Sequence, residues 1–191
     1  VPTSRAPFLF PAPYGTQGYR LTEGSDCGGQ DCVAPVGYAY WRNINHHPGF
    51  DKLYLFLSLR RQQGGAGPTL FSIDKPTGQV SRLGPLFAPD DPRSWSSGEG
   101  WYFSATSPNM LYVHGGSDPA LVRYDVSSRQ SSTVLDLSAQ VALYGANAYV
   151  WQPHSSDDDQ VHSFTVRRND GSAYPMLGCG AYLEGSREFK F

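Results

Sequence analysis

The chain has 191 residues, of which 39% are hydrophobic and 17% charged, with a formal net charge of −2 at pH 7. That length supports a real core in one domain or two small ones, and the 14% aromatic content with 21 Gly and 15 Pro excludes a disordered or coiled-coil chain and suits an all-β fold. Near-neutral charge without Lys/Arg clusters argues against nucleic acid or an anionic membrane surface as partner, and no apolar run is long enough for a membrane span.

In chain order, residues 1–22 read as two strands, Phe8-Leu9-Phe10 and Gly18 to Thr22, around a Pro/Gly turn. A loop follows in which Cys27 and Cys32 flank Gly28-Gly29-Gln30-Asp31 and could close a small disulfide; a reduced pair is the other reading. A disulfide implies an oxidising compartment, hence a secreted or cell-surface protein, and the first residue, Val1, leads to the expectation that an upstream signal peptide or precursor segment is removed. Cys179 sits in an apolar stretch, and the want of a second Cys/His pair with suitable spacing argues against a zinc site.

Residues 37–43 read as an aromatic strand and 53–59 as a central strand covered on both faces. Residues 70–83 form a hairpin: Phe71 and Ile73 alternate with Ser72 and Asp74, and Lys75-Pro76-Thr77-Gly78 has the chemistry of a turn. After a long loop with Trp95, strands are expected at 100–105, 110–113, 121–126 and 133–137. Further strands are expected at 141–145, 148–152, 161–166 and 174–177, the last two split by the turn Asn169-Asp170-Gly171, and then comes a hairpin of 178–183 and 188–191. No segment shows a helical period.

The third strands begin near Leu70, Leu121 and Val161, a spacing of about 40 to 51 residues that suits four-stranded blades. With Ile73-Asp74…Thr77-Gly78 and Tyr124-Asp125-Val126, the pattern resembles the β-propeller superfamily. The resemblance implies one propeller domain over 1–191, with continuous blades at 37–83, 100–137 and 141–177 and a composite blade made from 1–22 and 178–191. Four blades closed by the terminal strands are expected; part of a larger propeller is the alternative.

Three constellations carry candidate chemistry. His154, Asp157, Asp159 and His162 could offer a divalent cation oxygen and imidazole ligands, against the reading of a solvated acidic turn. His46 and His47 occupy a turn comparable with that of His154, and Arg42 lies on the expected strand before it. This is similar to propeller polysaccharide lyases, and implies a His or Tyr base beside a uronate and a divalent metal or Arg42 stabilising the enolate. Trp95, Arg93 and Tyr40 have the chemistry to stack on a sugar ring and pair with carboxylates. Glu99 alone, without a paired carboxylate, gives little support to glycoside hydrolysis, and the Gly64 to Pro68 loop lacks the Lys-Ser/Thr of a phosphate cradle. The first expectation is thus a binding module for carbohydrate or protein ligands. The alternatives are a metal-assisted lyase acting on acidic glycans and a structural subunit self-associating through its terminal strands.

Overall fold

The computed structural model describes residues 2–36, 41–115, 118–145, 147–168 and 176–191. The chain is all-β, with four antiparallel sheets, and it divides into two compact units, Val1–Glu99 and Gly100–Phe191. Among the described residues, no helix is long and apolar enough to cross a membrane.

In the first unit, β1 (Ala6–Leu9) and β2 (Gln17–Arg20) form a two-stranded sheet. The second sheet is built on β5, with β3 (Val33–Ala34), β4 (Ile44–Asn45), β5 (Lys52–Leu59), β6 (Gly67–Asp74) and β7 (Val80–Pro85). Its order is β3-β5-β6-β7, and β4 also pairs with β5. Of the expected strand at 37–43, residues 37–40 lie outside the described residues and 41–43 are not strand; β3 and β4, on either side in sequence, both pair with β5. The sequence Leu-Tyr-Leu-Phe-Leu-Ser-Leu is covered on both faces, as its unbroken apolar character requires. Phe56, Leu59, Leu70 and Phe71 are fully buried, and each such side chain contributes roughly 1.5–3 kcal/mol.

The two cysteines do form a disulfide, with Cα atoms 5.5 Å apart, and it is part of the core rather than a surface clip. Cys27 and Cys32 pack with Leu55, Leu59 and Phe71. Beside it, the buried Asp26 carboxylate receives the Arg5 guanidinium and the Arg82 Nε at 3.2 Å, while Arg5 also reaches Glu23 at 2.6 Å. The N-terminal segment, the disulfide loop and β7 thus share one ionic knot. Cys179 is a free, exposed thiol.

In the second unit, β8 (Tyr102–Phe103), β9 (Met110–His114), β10 (Ala120–Asp125) and β11 (Gln130–Asp136) make a four-stranded meander. Helix α1 (Ser138–Ala142) follows, where a strand over 141–145 was expected. The Asp136 carboxylate accepts from Ser138 N at 2.8 Å, and Leu137 and Val141, four residues apart, are both buried. A single helical turn with one i, i+4 apolar pair is too short for a periodicity to register.

The last sheet is a meander of β12 (Ala148–Ser155), β13 (Val161–Arg168), β14 (Met176–Leu183) and β15 (Glu188–Lys190). The expected strands at 174–177 and 178–183 meet in this one strand β14; residues 169–175, including the turn expected at Asn169-Asp170-Gly171, lie outside the described residues. Strand β14 pairs with β13 along its length and with β15 on the other side, so 178–190 belong to the same sheet as β12 and β13.

Closing a loop with a sequence separation of 5 stabilises a fold by about 2 kcal/mol in the chain-entropy account. The double variant Cys27→Ala/Cys32→Ala, which also loses core volume, is expected to lower the unfolding free energy by about 2–4 kcal/mol, read as a drop in the urea midpoint. A midpoint equal to the parent's would show that the bridge carries no stability.

Candidate functional site

Strands β5 and β6 are joined by a 3-10 turn, Arg61–Gln63, and the chain after β7 makes another, Pro92–Trp95. Between them opens a cleft of about 610 Å3. Its walls include Ala34 and Pro35 after the disulfide loop, Arg60, Arg61 and Gln62 after β5, and Ser94 to Ser97 with Glu99. Trp95 is 58% exposed here, unusual for an indole, whereas Trp41 and Trp101 are buried.

The Trp95 wall is held by contacts of high specificity. The Asp91 carboxylate caps the second turn, accepting from Arg93 N at 2.9 Å. Arg61 Nη1 donates to the Pro89 carbonyl and to Ser94 Oγ, both at 2.6 Å, and the Arg61 guanidinium lies 4.4 Å over the Trp95 ring. At the start of β6, Gly67 has φ +81, and a Cβ there would stand 2.1 Å from the Ser94 carbonyl oxygen. The exposed side chains of Arg60, Gln62, Ser97 and Glu99 are left facing solvent at the cleft.

Of the residues expected to bind ligand, the structure puts Trp95 in the cleft. Arg93 is engaged elsewhere: it pairs with Asp91 through two bonds of 2.9 and 2.6 Å and stacks 4.3 Å from the Phe87 ring. Tyr40 lies outside the described residues. Arg42, half-buried, and His46, exposed, flank the short β4; His47 follows, its carbonyl accepting from Lys75 Nζ at 2.9 Å. None of these three lines the cleft.

Of the four expected metal ligands, Asp159 and His162 are engaged in hydrogen bonds within the protein. Among the described residues no three His, Cys, Asp or Glu side chains are grouped to hold a metal. The Asp159 carboxylate, 4% exposed, instead ties the turn after β8: it accepts from Ser104 Oγ at 2.5 Å, Thr106 N at 3.0 Å and Thr106 Oγ1 at 2.8 Å. Burial opposes its charge, yet these bonds hold its pKa below the usual carboxylate value. His162 is fully buried; its Nε2 is hydrogen-bonded with Glu184 Oε2 at 3.0 Å and its Nδ1 with Ser155 Oγ at 2.7 Å. The Tyr102 hydroxyl extends the network, hydrogen-bonded with Ser155 Oγ at 2.9 Å. His154 stacks on Tyr102 at 5.1 Å, and Asp157 is exposed. Burial, and then the Asp159 charge, push the Tyr112 hydroxyl beside this network up to about 12. Ser155, His162 and Glu184 have the hydrogen bonds of a hydrolytic triad, but Ser155 and His162 are buried in the sheet, where a substrate has no access.

Sequence reasoning did not single out Arg60, Arg61 or Gln62; only the following Gly64 to Pro68 was weighed, as a loop. The signal was present in Arg60-Arg61-Gln62-Gln63: two cations and two amides directly after a doubly covered apolar strand.

No protein-family model matches the chain, and no curated protein matches it in sequence. Among solved structures, it is similar to an oligogalacturonate lyase in complex with manganese, with 14% identity and TM-score 0.58, covering 100% of this chain and 46% of that one. A second oligogalacturonate lyase, from Vibrio parahaemolyticus, matches with 10% identity and TM-score 0.58, covering 98% and 46%. TolB from Acinetobacter baumannii follows with 13% identity and TM-score 0.48, covering 94% and 35%. The two lyases are β-propellers, and at these identities the likeness shows the fold: this chain has a propeller-type fold and spans about half the length of those chains.

Two outcomes follow from the site. Gly67→Ala forces a side chain at positive φ into the Ser94 carbonyl. It is expected to destabilise by about 2–4 kcal/mol and to shift Trp95 emission, seen in urea titration and fluorescence; an unshifted spectrum at parental stability would contradict the packing. The Glu184 carboxyl is also held below its usual value: burial opposes this, but hydrogen bonds from Arg123 and His162 outweigh it. A depressed folded-state pKa gives stability that is present above the unfolded value and lost as pH falls through the folded one. Glu184→Gln is therefore expected to flatten the loss of stability from about pH 5 downward, measured as urea midpoints against pH; an unchanged slope would dissociate Glu184 from acid unfolding.

Proposed function

We propose that the chain is a binding module of propeller-type fold whose cleft between Arg60 and Glu99 takes an acidic saccharide. The observation that carries this is the pairing of one largely exposed indole, Trp95, with the exposed guanidinium of Arg60 on the same cleft. An indole face stacks on the C–H face of a pyranose, and a guanidinium meets a carboxylate through two parallel hydrogen bonds. Gln62, Ser97 and Glu99 supply further polar groups for ring hydroxyls. The cleft is large enough for a few sugar rings. The buried disulfide supports an oxidising compartment, which suits a secreted or surface protein.

The second reading is lyase activity on acidic glycans, and it is favoured by the fold likeness to two oligogalacturonate lyases. In its support, exposed His46 and half-buried His47 stand side by side before one turn. A divalent cation would belong to that reading.

Binding is tested by following tryptophan emission during titration with short oligogalacturonides and with neutral oligosaccharides of equal length. Saturable quenching by the acidic series is expected, and Trp95→Ala should abolish it and weaken affinity by tenfold or more, about 1.4 kcal/mol. Undiminished affinity in Trp95→Ala would remove the cleft as the site. Absorbance from unsaturated sugar ends in the same incubations would turn the conclusion toward the lyase.

A further inference from the structure

The neighbouring arginines of the cleft differ in what holds them. Arg61 is half-buried and committed: one nitrogen bridges the Pro89 carbonyl and Ser94 Oγ, and its plane covers Trp95. Ser94 is buried and in turn donates to Pro89 O at 3.2 Å, so the three residues form one closed set of bonds. Arg60 is exposed, and its side chain makes no hydrogen bond or ion pair with the described residues; its backbone is fixed instead, with N donating to Cys32 O at 2.8 Å and O accepting from Gln63 and Gly65.

We propose that the two arginines divide the work of the cleft: Arg61 is a positioning residue that fixes the Trp95 ring, and Arg60 is the residue that selects an acidic over a neutral saccharide. The proposal rests on the reading of the cleft as a saccharide site. The physical reason is directional. A guanidinium already donating to a carbonyl and a hydroxyl, with its face on an indole, loses those contacts if it turns to a ligand. One whose backbone is pinned and whose fork is open can meet a carboxylate at little cost in order. Because Arg61 covers one face of Trp95, the ring presents its opposite face to a ligand, which makes the site one-sided. Lysine would keep the charge of Arg61 but could not bridge, stack and lie flat at once.

The experiment uses the whole chain. Acrylamide quenching is first measured without ligand, with the Trp95 contribution isolated by difference from Trp95→Phe. Arg61→Ala is expected to raise that contribution about twofold, Arg61→Lys to fall between, and Arg60→Ala to leave it unchanged. Short oligogalacturonides and neutral oligosaccharides of equal length are then titrated. Arg60→Ala should cut the preference for the acidic series about tenfold, whereas Arg61→Ala should weaken both series by a similar factor and keep their ratio. Parental quenching in Arg61→Ala overturns the positioning role. A preserved acidic preference in Arg60→Ala overturns the selecting role. Absence of any saccharide binding by the parent overturns the binding reading and Arg60 with it, while the quenching result still decides Arg61.

Discussion

The Ser94 carbonyl oxygen stands where a side chain at residue 67 would begin, and both residues line the cleft of the first unit. Only glycine accepts both a positive φ and a carbonyl against its α-carbon. The contact brings the segment after β7 onto the start of β6, so Trp95 comes to line the same cleft as Arg60 to Gln62. The disulfide acts on the opposite wall. Cys32 receives the Arg60 amide, and residues Val33 and Ala34 pair with Leu59 and Ser58, so Ala34 and Pro35 are delivered to the cleft by a covalently closed loop. One wall is therefore set by backbone packing and the other by a crosslink in the core, which is the rigidity a preorganised binding surface requires.

In the second unit, an acidic residue recurs at the end of the third strand with a changed task. Asp74, its counterpart in the first unit, closes its turn by accepting from Thr77 N at 3.0 Å, and Asp125 does the same with Ser127 N at 2.8 Å. Both carboxyls are held below the usual range, chiefly by the hydroxyl of Thr77 or Ser127. Glu184 follows β14 at the matching place, but its longer side chain reaches Arg123 at 2.6 Å and His162 at 3.0 Å. A local cap has become a tie between strands of two sheets. Asp159 performs a related act, spanning 55 residues of sequence to hold Ser104. Polar groups so deeply committed cost about 1–3 kcal/mol each when one partner is removed, which fits a structural use.

The legible part of the chain was what depends on neighbours in sequence. The alternation in 70–74 and the Pro-Thr-Gly turn after it specify β6, its turn and β7, and the doubly apolar 53–59 specifies β5. Trp95 stood out for a local reason as well, being an indole amid Ser, Pro and Asp. What was not legible depended on register. A bulge between Trp151 and His154 decides that Ser155 faces His162, and nothing in a run of Asp between two His announces it. The sheet that 178–190 join is of the same kind, because sheet membership is set by which strand edge is open, a property of pairing rather than of composition.

The same distinction explains why the densest cluster of chemistry-bearing residues and the candidate site are different places. His154, Asp159 and His162 with Ser155 are rich in acid–base character, yet burial and complete hydrogen bonding remove Asp159 and His162 from contact with a ligand. Arg60, Gln62 and Glu99 are unremarkable as a sequence, but they are exposed and share a concave surface with an indole. A charged group contributes to recognition when its partner is still to come, because the bond then forms on binding and not on folding. Arg60 meets that condition, whereas Arg61, one residue later, has already used its bonds to shape the wall. Adjacent residues of one type thus acquire opposite roles from the direction in which the turn after β5 points them.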